Sequence, residues 1–303
     1  MAIVRLKDLE FKMYLSNLLY QAEKKVMGQE AIASAILLLK YNAAHGKQYK
    51  LFNRVAPDPS GDGSIWLDMA DSQNRAYHIT KDGWTLEADL PILFRRYTHQ
   101  QPLREAVKNG DAKKLLEFVD IGANKNSDLT KHRKLLLLIQ TTSYIIPKIS
   151  HPINSMFGCP GSHKSTAQRF IRMLIDPSSA PLLSMPRDEN AALQNLDHHY
   201  IPIFDNLDYV PRWFSDILCR AVTGAGQESR ALYTDDDSFI RTFRRCPMLN
   251  GLNHPGTKGD LLNREIMHPT EPNGKRRARI EISSSSAGNL GGIIRRGFKS
   301  VKH

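Results

Sequence analysis

The stretch Ile153-Asn-Ser-Met-Phe-Gly-Cys-Pro-Gly-Ser-His-Lys-Ser-Thr166 decides how this chain of 303 residues is interpreted. Its first five residues predict a short strand, the small residues from Gly158 to Ser162 predict a loop, and Ala167 to Ile175 predict a helix. A strand, a loop of small residues and a helix, in that order, form the context of a phosphate-binding loop, or P-loop. The sequence therefore predicts an α/β fold with a P-loop NTPase core.

The residue types in this loop suit the phosphates of a nucleotide. Small residues allow successive backbone N–H groups to surround phosphate oxygens, and the N-terminus of the helix adds its positive dipole. Lys164 would neutralise the β- and γ-phosphates of ATP, and the Ser165 hydroxyl would bind Mg²⁺. The predicted ATP-binding residues are Gly158, Gly161, Ser162, His163, Lys164, Ser165 and Thr166.

His163 stands where the usual motif has glycine. Its side chain would either crowd the β-phosphate or be tolerated because the chain is already entering the helix there. It would also offer an additional donor to phosphate. The alternative interpretation of the whole stretch is a Gly/Ser turn that precedes Lys-Ser-Thr by coincidence.

Asp205 is the candidate for the second half of the site, because it ends the apolar stretch Tyr200-Ile-Pro-Ile-Phe. In a parallel sheet the C-terminal ends of the strands meet at one edge, so Asp205 would face the Mg²⁺ ion held by Ser165. The alternative is a buried strand that Asp205 merely caps.

Asn206 follows this aspartate, where a glutamate that polarises the attacking water is common. An amide orients water but does not accept its proton. Asp208 or Glu189 would serve as the base instead, or hydrolysis is slow.

Further candidates follow along the chain. A helix is predicted over 211–222, followed by a hairpin with the tip Asp235-Asp-Asp-Ser and a return strand that carries the candidate DNA-binding residues Arg241, Arg244 and Arg245. The strand Cys246–Asn250 would place the Asn250 amide near the γ-phosphate or the attacking water. Arg264 would reach the nucleotide of a neighbouring subunit. An asparagine cap and a surface ion pair are the alternatives for these last two residues.

The first part of the chain predicts a different organisation. Helical patterns cover 8–45, and the alternating patterns within 49–96, separated by turn signals, predict a small antiparallel β module. This module suits docking or oligomerisation as well as substrate binding. Further helices are predicted over 111–119 and 129–144. The predicted domains are an α+β region at 1–125, the P-loop ATPase domain at 126–274 and a basic, Ser/Gly-rich flexible tail at 275–303.

Composition excludes several classes of protein. No apolar stretch approaches the roughly 20 residues that a bilayer requires, and no signal peptide is evident. The three cysteines are widely spaced, which argues against a disulfide framework or a cysteine zinc site and favours a reduced, cytoplasmic location. Residues 275–303 carry +7 of the net charge of +11. The net charge is therefore weak support for DNA binding by the rest of the protein.

The order of these features resembles a known group. The local sequences Phe204-Asp-Asn-Leu, Leu218-Cys-Arg-Ala-Val-Thr-Gly, Arg230-Ala-Leu-Tyr-Thr-Asp and Met248-Leu-Asn-Gly are similar to those of superfamily 3 and poxvirus-type primase-helicases. They most resemble ATP-binding proteins of phages and other mobile elements. The upstream Ile79-Thr-Lys-Asp-Gly-Trp and Pro91-Ile-Leu-Phe-Arg-Arg extend the resemblance, which covers roughly residues 45 to 270.

The resemblance implies an AAA+-like core that uses ATP and Mg²⁺, assembles into a homo-oligomeric and often hexameric ring, and acts on single-stranded DNA, with a primase as a further partner. By position, Lys164, Ser165 and Asp205 would bind MgATP, Asn250 would sense the γ-phosphate, and Arg264 would act in trans. The implied function is an ATP-dependent helicase or loader in DNA replication of a phage or mobile element.

Two departures keep other functions open. The hairpin tip is acidic, although the resembling helicases carry basic residues there, and the chain continues after about residue 274 in a basic, Ser-rich tail. The alternatives are a regulatory or defence ATPase without helicase activity and a degenerate nucleotide-binding interaction protein. A small-molecule kinase also fits a P-loop, but the sequence shows no acceptor site.

Overall fold

A computed structural model describes residues 9–108, 110–119, 121, 127–224, 227–230, 238–241, 244–253 and 259–270, with 227–230 and 238–241 described by their backbone. The helices are α1 (Leu9–Glu23), α2 (Gln29–Ala44), α3 (Asp128–Ser143), α4 (Lys164–Ile175), α5 (Glu189–His198), α6 (Arg212–Thr223) and α7 (Gly259–Leu262). The strands are β1 (Leu51–Phe52), β2 (Val55–Pro57), β3 (Ile65–Asp68), β4 (Ala76–Thr80), β5 (Gly83–Glu87), β6 (Leu93–Phe94), β7 (Ile153–Phe157), β8 (Ile203–Phe204), β9 (Gln227–Arg230), β10 (Ser238–Arg241), β11 (Met248–Gly251) and β12 (Glu265–Pro269). In the part of the chain so described, no helix has the length and apolar character needed to cross a bilayer.

The chain divides into two compact units, one of residues 1–52 with 92–95 and one of residues 53–91 with 96–303. This division differs from the predicted domain boundary near residue 125, which stays a prediction. In the first unit, α1 and α2 cover most of the predicted helical region, and β1 pairs in parallel with β6. Leu51 and Phe52 therefore belong to the first unit, and the four-stranded antiparallel sheet begins at Val55.

The second unit contains the predicted antiparallel β module. Strands β2, β3, β4 and β5 pair in sequence order, and every pair is antiparallel. Apolar side chains of this sheet, including Leu67 and Tyr77, belong to the same buried cluster as Ile171 and Ile175 of α4. The β module and the helix after the candidate P-loop thus share one hydrophobic core.

The second sheet of this unit is parallel, with the strand order β12-β7-β11-β8. Strand β8 is the next strand of this sheet after β7 in the sequence. The two are not neighbours in space, because β11 lies between them. All four strands run in the same direction, so their C-terminal ends form one edge. The fold is therefore a mixed α/β architecture with one parallel and one antiparallel four-stranded sheet.

Two local predictions differ from the structure. The helix predicted over 111–119 is a 3₁₀ helix at Ala112–Glu117, begun by Asp111, whose carboxylate accepts from the Lys113 backbone N–H. The predicted hairpin is present as β9 and β10, with Ser238 opposite Arg230. Ser238, predicted to lie in the tip, is the first residue of β10. The acidic residues at 235–237 lie outside the described residues, as does the tail at 275–303.

A buried ionic cluster connects the end of α4 to the chain just before β2. Arg54 and Asp176 are both fully buried, and Arg54 Nε lies 3.1 Å from Asp176 Oδ1. Arg172 donates to the Asp176 backbone carbonyl at 3.1 Å and to His199 Nδ1 at 2.7 Å. Buried charges are stable only when they are paired and hydrogen-bonded, and here each one is.

Because three histidines are buried, we expect the free energy of unfolding to decrease in mild acid. Burial lowers the pKa of His151 and of His268 to about 4, and burial with Arg172 alongside lowers that of His199 to about 3. Above about pH 6.5 both the folded and the unfolded state hold these rings neutral. Below that pH only the unfolded state takes up the proton, so folding free energy is lost as pH falls towards 4, on the order of 1–3 kcal/mol per ring.

This expectation is checked by the melting temperature measured from pH 7.5 to pH 4.5. The variant His151→Phe removes one titrating ring. In the wild type the His151 ring lies edge-on to the ring of Tyr144, with 5.9 Å between the ring centroids. The slope of melting temperature against pH is expected to be shallower in the variant. Equal slopes in the two proteins would contradict the assignment of this ring.

Candidate functional site

The C-terminal edge of the parallel sheet brings the predicted loop residues together with Asp205 and Asn250. The loop 158–163 follows β7, Asp205 follows β8, and Asn250 lies near the end of β11. In the register, Leu249 pairs with Phe204, so Asn250 lies level with Asp205. The central position of β11 therefore places Asn250 between the loop and Asp205.

The loop after β7 closes around the ammonium group of Lys164. Lys164 Nζ donates to the backbone carbonyls of Gly158 at 2.8 Å and Cys159 at 3.0 Å, and to Ser162 Oγ at 3.2 Å. Partial burial lowers the pKa of Lys164, against the opposing effects of Cys159 and Asp205. The lysine thus occupies the interior of the loop and lies within electrostatic reach of Asp205.

His163 has a left-handed backbone conformation, with φ 58° and ψ 24°, and precedes the first residue of α4. Glycine adopts this conformation without the steric cost that a Cβ atom brings, which explains physically why glycine is usual at this place. The side chain of His163 is exposed. Gly161, with φ 79°, is the other left-handed residue of the loop's second half.

Ser165 and Asp205 are in direct contact. Ser165 Oγ donates to Asp205 Oδ1 at 2.7 Å, and both side chains are half-buried. A hydroxyl and a carboxylate oxygen are ligands that suit Mg²⁺, which commonly takes one or two protein ligands together with substrate phosphates and waters. The two residues predicted to bind the metal therefore fit it. Thr166, the next residue of α4, is half-buried.

Asn206 has a left-handed conformation like that of His163, with φ 56°. Its backbone N–H donates to Asn250 Oδ1 at 3.0 Å, and Asn250 Nδ2 donates to Gln168 Oε1 at 2.8 Å. Asn250 is 2% exposed. Its amide oxygen thus holds the turn after Asp205, and the predicted role near the γ-phosphate stays a prediction.

Thr270 is a site residue that the sequence reasoning missed. Its backbone N–H donates to the Phe157 carbonyl at 3.1 Å, and its hydroxyl lies 2.9 Å from Ser162 Oγ. A Cβ atom on Gly158 would lie 2.2 Å from the Thr270 carbonyl oxygen. The end of β12 is thus packed directly against the loop. A lone threonine after a short apolar stretch gives no sequence signal of this role.

The two candidate bases do not meet the site. Asp208 is exposed, and Glu189 is exposed at the first turn of α5, just after the N-cap Asp188. Among the described residues neither forms a hydrogen bond with Asp205 or Ser165. Of the residues considered for activating water, only Asn206 directly follows Asp205 in the chain.

The basic candidates have different environments. Arg264 forms an ion pair with Asp260 within the same turn and is about one-third exposed. Arg244 packs across Gly224 and donates to the carbonyls of Thr223 and Lys148.

Arg245, a candidate DNA-binding residue of the predicted return strand, lies beyond the end of β10 and is buried. It is 7% exposed, and it donates to the carbonyls of Leu196 at 2.5 Å and Asp197 at 3.1 Å. Its guanidinium is thus used to bind the end of α5. Arg241 lies at the end of β10, where the backbone alone is described.

Comparison with solved structures finds similarity at low identity. Two apo structures of the NrS-1 C-terminal region share 12% identity with this chain, with TM-scores of 0.46 and 0.47, and cover 94% and 93% of it. A structure of JCV helicase bound to a thiazolopyridine-containing acetamide shares 10% identity, with a TM-score of 0.35, over 57% of this chain. The chain spans 55% to 60% of the length of these solved chains. A search of curated proteins found no match.

Comparison with protein families gives a match over residues 125–295, which is more than half of the chain. The match begins just before α3 and includes β7 to β12 with every candidate site residue. It continues past residue 275, so the predicted tail begins inside the matched region. The family match confirms the prediction that the chain is a replication protein of a mobile element. The chain belongs to the family of actinomycete integrative conjugative element replication proteins.

Proposed function

We propose that this chain is a Mg²⁺-dependent ATPase of helicase type that acts on DNA during replication of a mobile element. The contact between Ser165 Oγ and Asp205 Oδ1, beside the loop that encloses Lys164, is the observation that carries the proposal. This edge of the parallel sheet offers a hydroxyl, a carboxylate and an ammonium group next to a helix N-terminus. Together they suit a nucleoside triphosphate with its metal ion.

Each residue has a definite part in this proposal. The backbone N–H groups of the loop and of the start of α4 bind the phosphates, and Lys164 exchanges its three loop oxygens for phosphate oxygens. Ser165 and Asp205 would hold Mg²⁺. When bound, the metal neutralises charge that develops on the phosphates. Asn206 orients the attacking water, while Asn250 holds the backbone of that residue.

Partners follow from the same proposal. In a homo-oligomeric ring, Arg264 would leave Asp260 and reach the nucleotide of the adjacent subunit. DNA would be single-stranded, and a primase would be a further partner. Because Arg245 is buried, any contact from the hairpin would fall to Arg241 and its neighbours. Affinity for single strands should then weaken with salt, by about 0.7 log units per log unit of salt for each phosphate neutralised.

A second candidate function is a nucleotide-binding protein with very slow turnover, in which ATP drives assembly. Asn206 favours it, since the residue after Asp205 has no group that accepts a proton. This candidate shares the binding site but predicts binding without stimulated hydrolysis.

The test is steady-state ATP hydrolysis with and without single-stranded DNA. Lys164→Ala and Asp205→Asn are each expected to reduce turnover about 10²- to 10³-fold, the effect of losing one group that stabilises transition-state charge. Arg264→Ala is expected to remove DNA stimulation. Lys131→Ala, at an exposed pair with Asp128, is the matched control and should hydrolyse like the wild type.

The outcomes distinguish the candidates. Stimulated turnover that is lost in the site variants supports the ATPase. Tight ATP binding without turnover supports the second candidate. Turnover that is unchanged in Lys164→Ala and Asp205→Asn would sink the site assignment itself.

A further inference from the structure

A chain of buried polar side chains runs from the turn at Asn206 into the interior of the parallel sheet. Its members come from five different elements and are Asn250 on β11, Gln168 on α4, Asn154 on β7, Gln140 on α3 and His268 on β12. Each is at most 2% exposed. Burying an amide costs free energy unless its hydrogen bonds are satisfied, so apolar side chains would fill this space at lower cost.

Hydrogen bonds at the near end fix the orientation of two amides. Asn250 Oδ1 accepts from the Asn206 backbone N–H, and Asn250 Nδ2 donates to Gln168 Oε1. Gln168 Nε2 donates to the Leu249 carbonyl at 3.0 Å and to Asn154 Oδ1 at 3.2 Å. A backbone N–H only donates and a carbonyl only accepts, so flipping either amide would leave a buried group unpaired.

The far end is fixed in the same way. Asn154 Nδ2 donates to Gln140 Oε1 at 3.0 Å, and Gln140 Nε2 donates to the Pro152 carbonyl at 2.9 Å. Gln140 Oε1 also lies 2.8 Å from His268 Nε2, which therefore carries the hydrogen. The chain is thus anchored on backbone groups at both ends, and the amides between them have one consistent direction of donation.

We propose that Gln168 is a positioning residue of the nucleotide site. It holds Asn250, which holds the backbone of Asn206 and so keeps the carboxylate of Asp205 beside Ser165. Gln168 and Ser165 lie three residues apart on α4, so one helix supplies both the hydroxyl and the amide that supports the opposing turn. This role rests on the proposed function, because its consequence for turnover requires hydrolysis at this site.

Gln168→Met tests the role, since methionine has a similar length but no hydrogen-bonding amide. Turnover of ATP is expected to fall about 10- to 100-fold, the usual effect of removing a supporting hydrogen bond behind a metal ligand. The Kd for ATP should change by less than about threefold, because the groups that contact phosphate remain. Thr141→Val is the matched control: this buried α3 residue adjoins Gln140, but its hydroxyl has no hydrogen-bond partner among the described residues.

Gln168→Glu adds a readout that a merely structural role would not give. The introduced carboxyl accepts from Asn250 in either form, but it donates towards Leu249 or Asn154 only when protonated. Turnover relative to the wild type is therefore expected to recover as pH falls and to decrease as pH rises. A ratio that is constant with pH would overturn the proposal.

Hydrogen exchange of the Asn206 amide tests positioning without any turnover. Exchange should be faster in Gln168→Met than in the wild type and unchanged in Thr141→Val. If the wild type binds ATP but does not hydrolyse it, the proposed ATPase fails, while faster exchange in Gln168→Met still supports the positioning role. Unchanged exchange in a folded Gln168→Met protein would overturn it.

Discussion

Gly158→Ala is expected to lower the free energy of unfolding by more than about 4 kcal/mol, a loss that belongs to the exceptional range for one substitution. The new Cβ atom would lie 2.2 Å from the Thr270 carbonyl oxygen and 2.9 Å from its hydroxyl. Its backbone angle, φ 155°, is also one that residues with side chains rarely adopt. Relief requires β12 to move away from the loop, which breaks the hydrogen bonds of Thr270 to Phe157 and Ser162.

Denaturant unfolding of the wild type and the variant measures this effect. Gly161→Ala is the matched control, because it also has a left-handed conformation, with φ 79°, but open space around its Cβ position. That variant should lose only about 1–2 kcal/mol, the cost of the conformation itself. Equal stability of the two alanine variants would contradict the close packing of Thr270 against Gly158.

Asp176→Asn is expected to remove about 3–5 kcal/mol, because it leaves two buried guanidinium groups without a counter-charge. Burial alone would raise the pKa of Asp176, but Arg172 and Arg54 hold it below its ordinary value. The carboxylate also accepts from the Ile201 backbone N–H at 3.0 Å. An amide of the same shape cannot neutralise both arginines.

Thermal and denaturant unfolding at neutral pH give the measurement. Lys131→Gln, which breaks an exposed pair with Asp128, is the comparison and should cost at most about 1 kcal/mol. A loss for Asp176→Asn no greater than that of the surface variant would show that the cluster is not charged in the folded protein.

Local sequence patterns predicted the parts of the fold that local chemistry determines. The antiparallel β module, the strand before Gly158 and the helix after it follow from alternation, small residues and turn signals. The meeting of Ser165 with Asp205 also follows, because parallel strands bring their C-terminal ends to one edge. The roles of these residues stay predictions until binding and turnover are measured.

The remaining features depend on contacts between distant parts of the chain. Arg245 reads as one of several basic residues on a hairpin, and only the carbonyls at the end of α5 make it a buried donor. Gln168 and Asn154 read as ordinary polar positions in a helix and a strand. Their function in the interior becomes visible when β11 is known to lie between β7 and β8, which no local pattern records.

The insertion of β11 between β7 and β8 has a consequence for biosynthesis. A nascent chain that has emerged from the ribosome only as far as Asn206 already contains the lysine, the serine and the aspartate of the site. It lacks the strand that joins their two halves, and the β12 segment that closes the loop is synthesised later still. Such a chain has not yet assembled the proposed nucleotide site, so on the proposed function ATP would stabilise this protein only after β11 and β12 have been made.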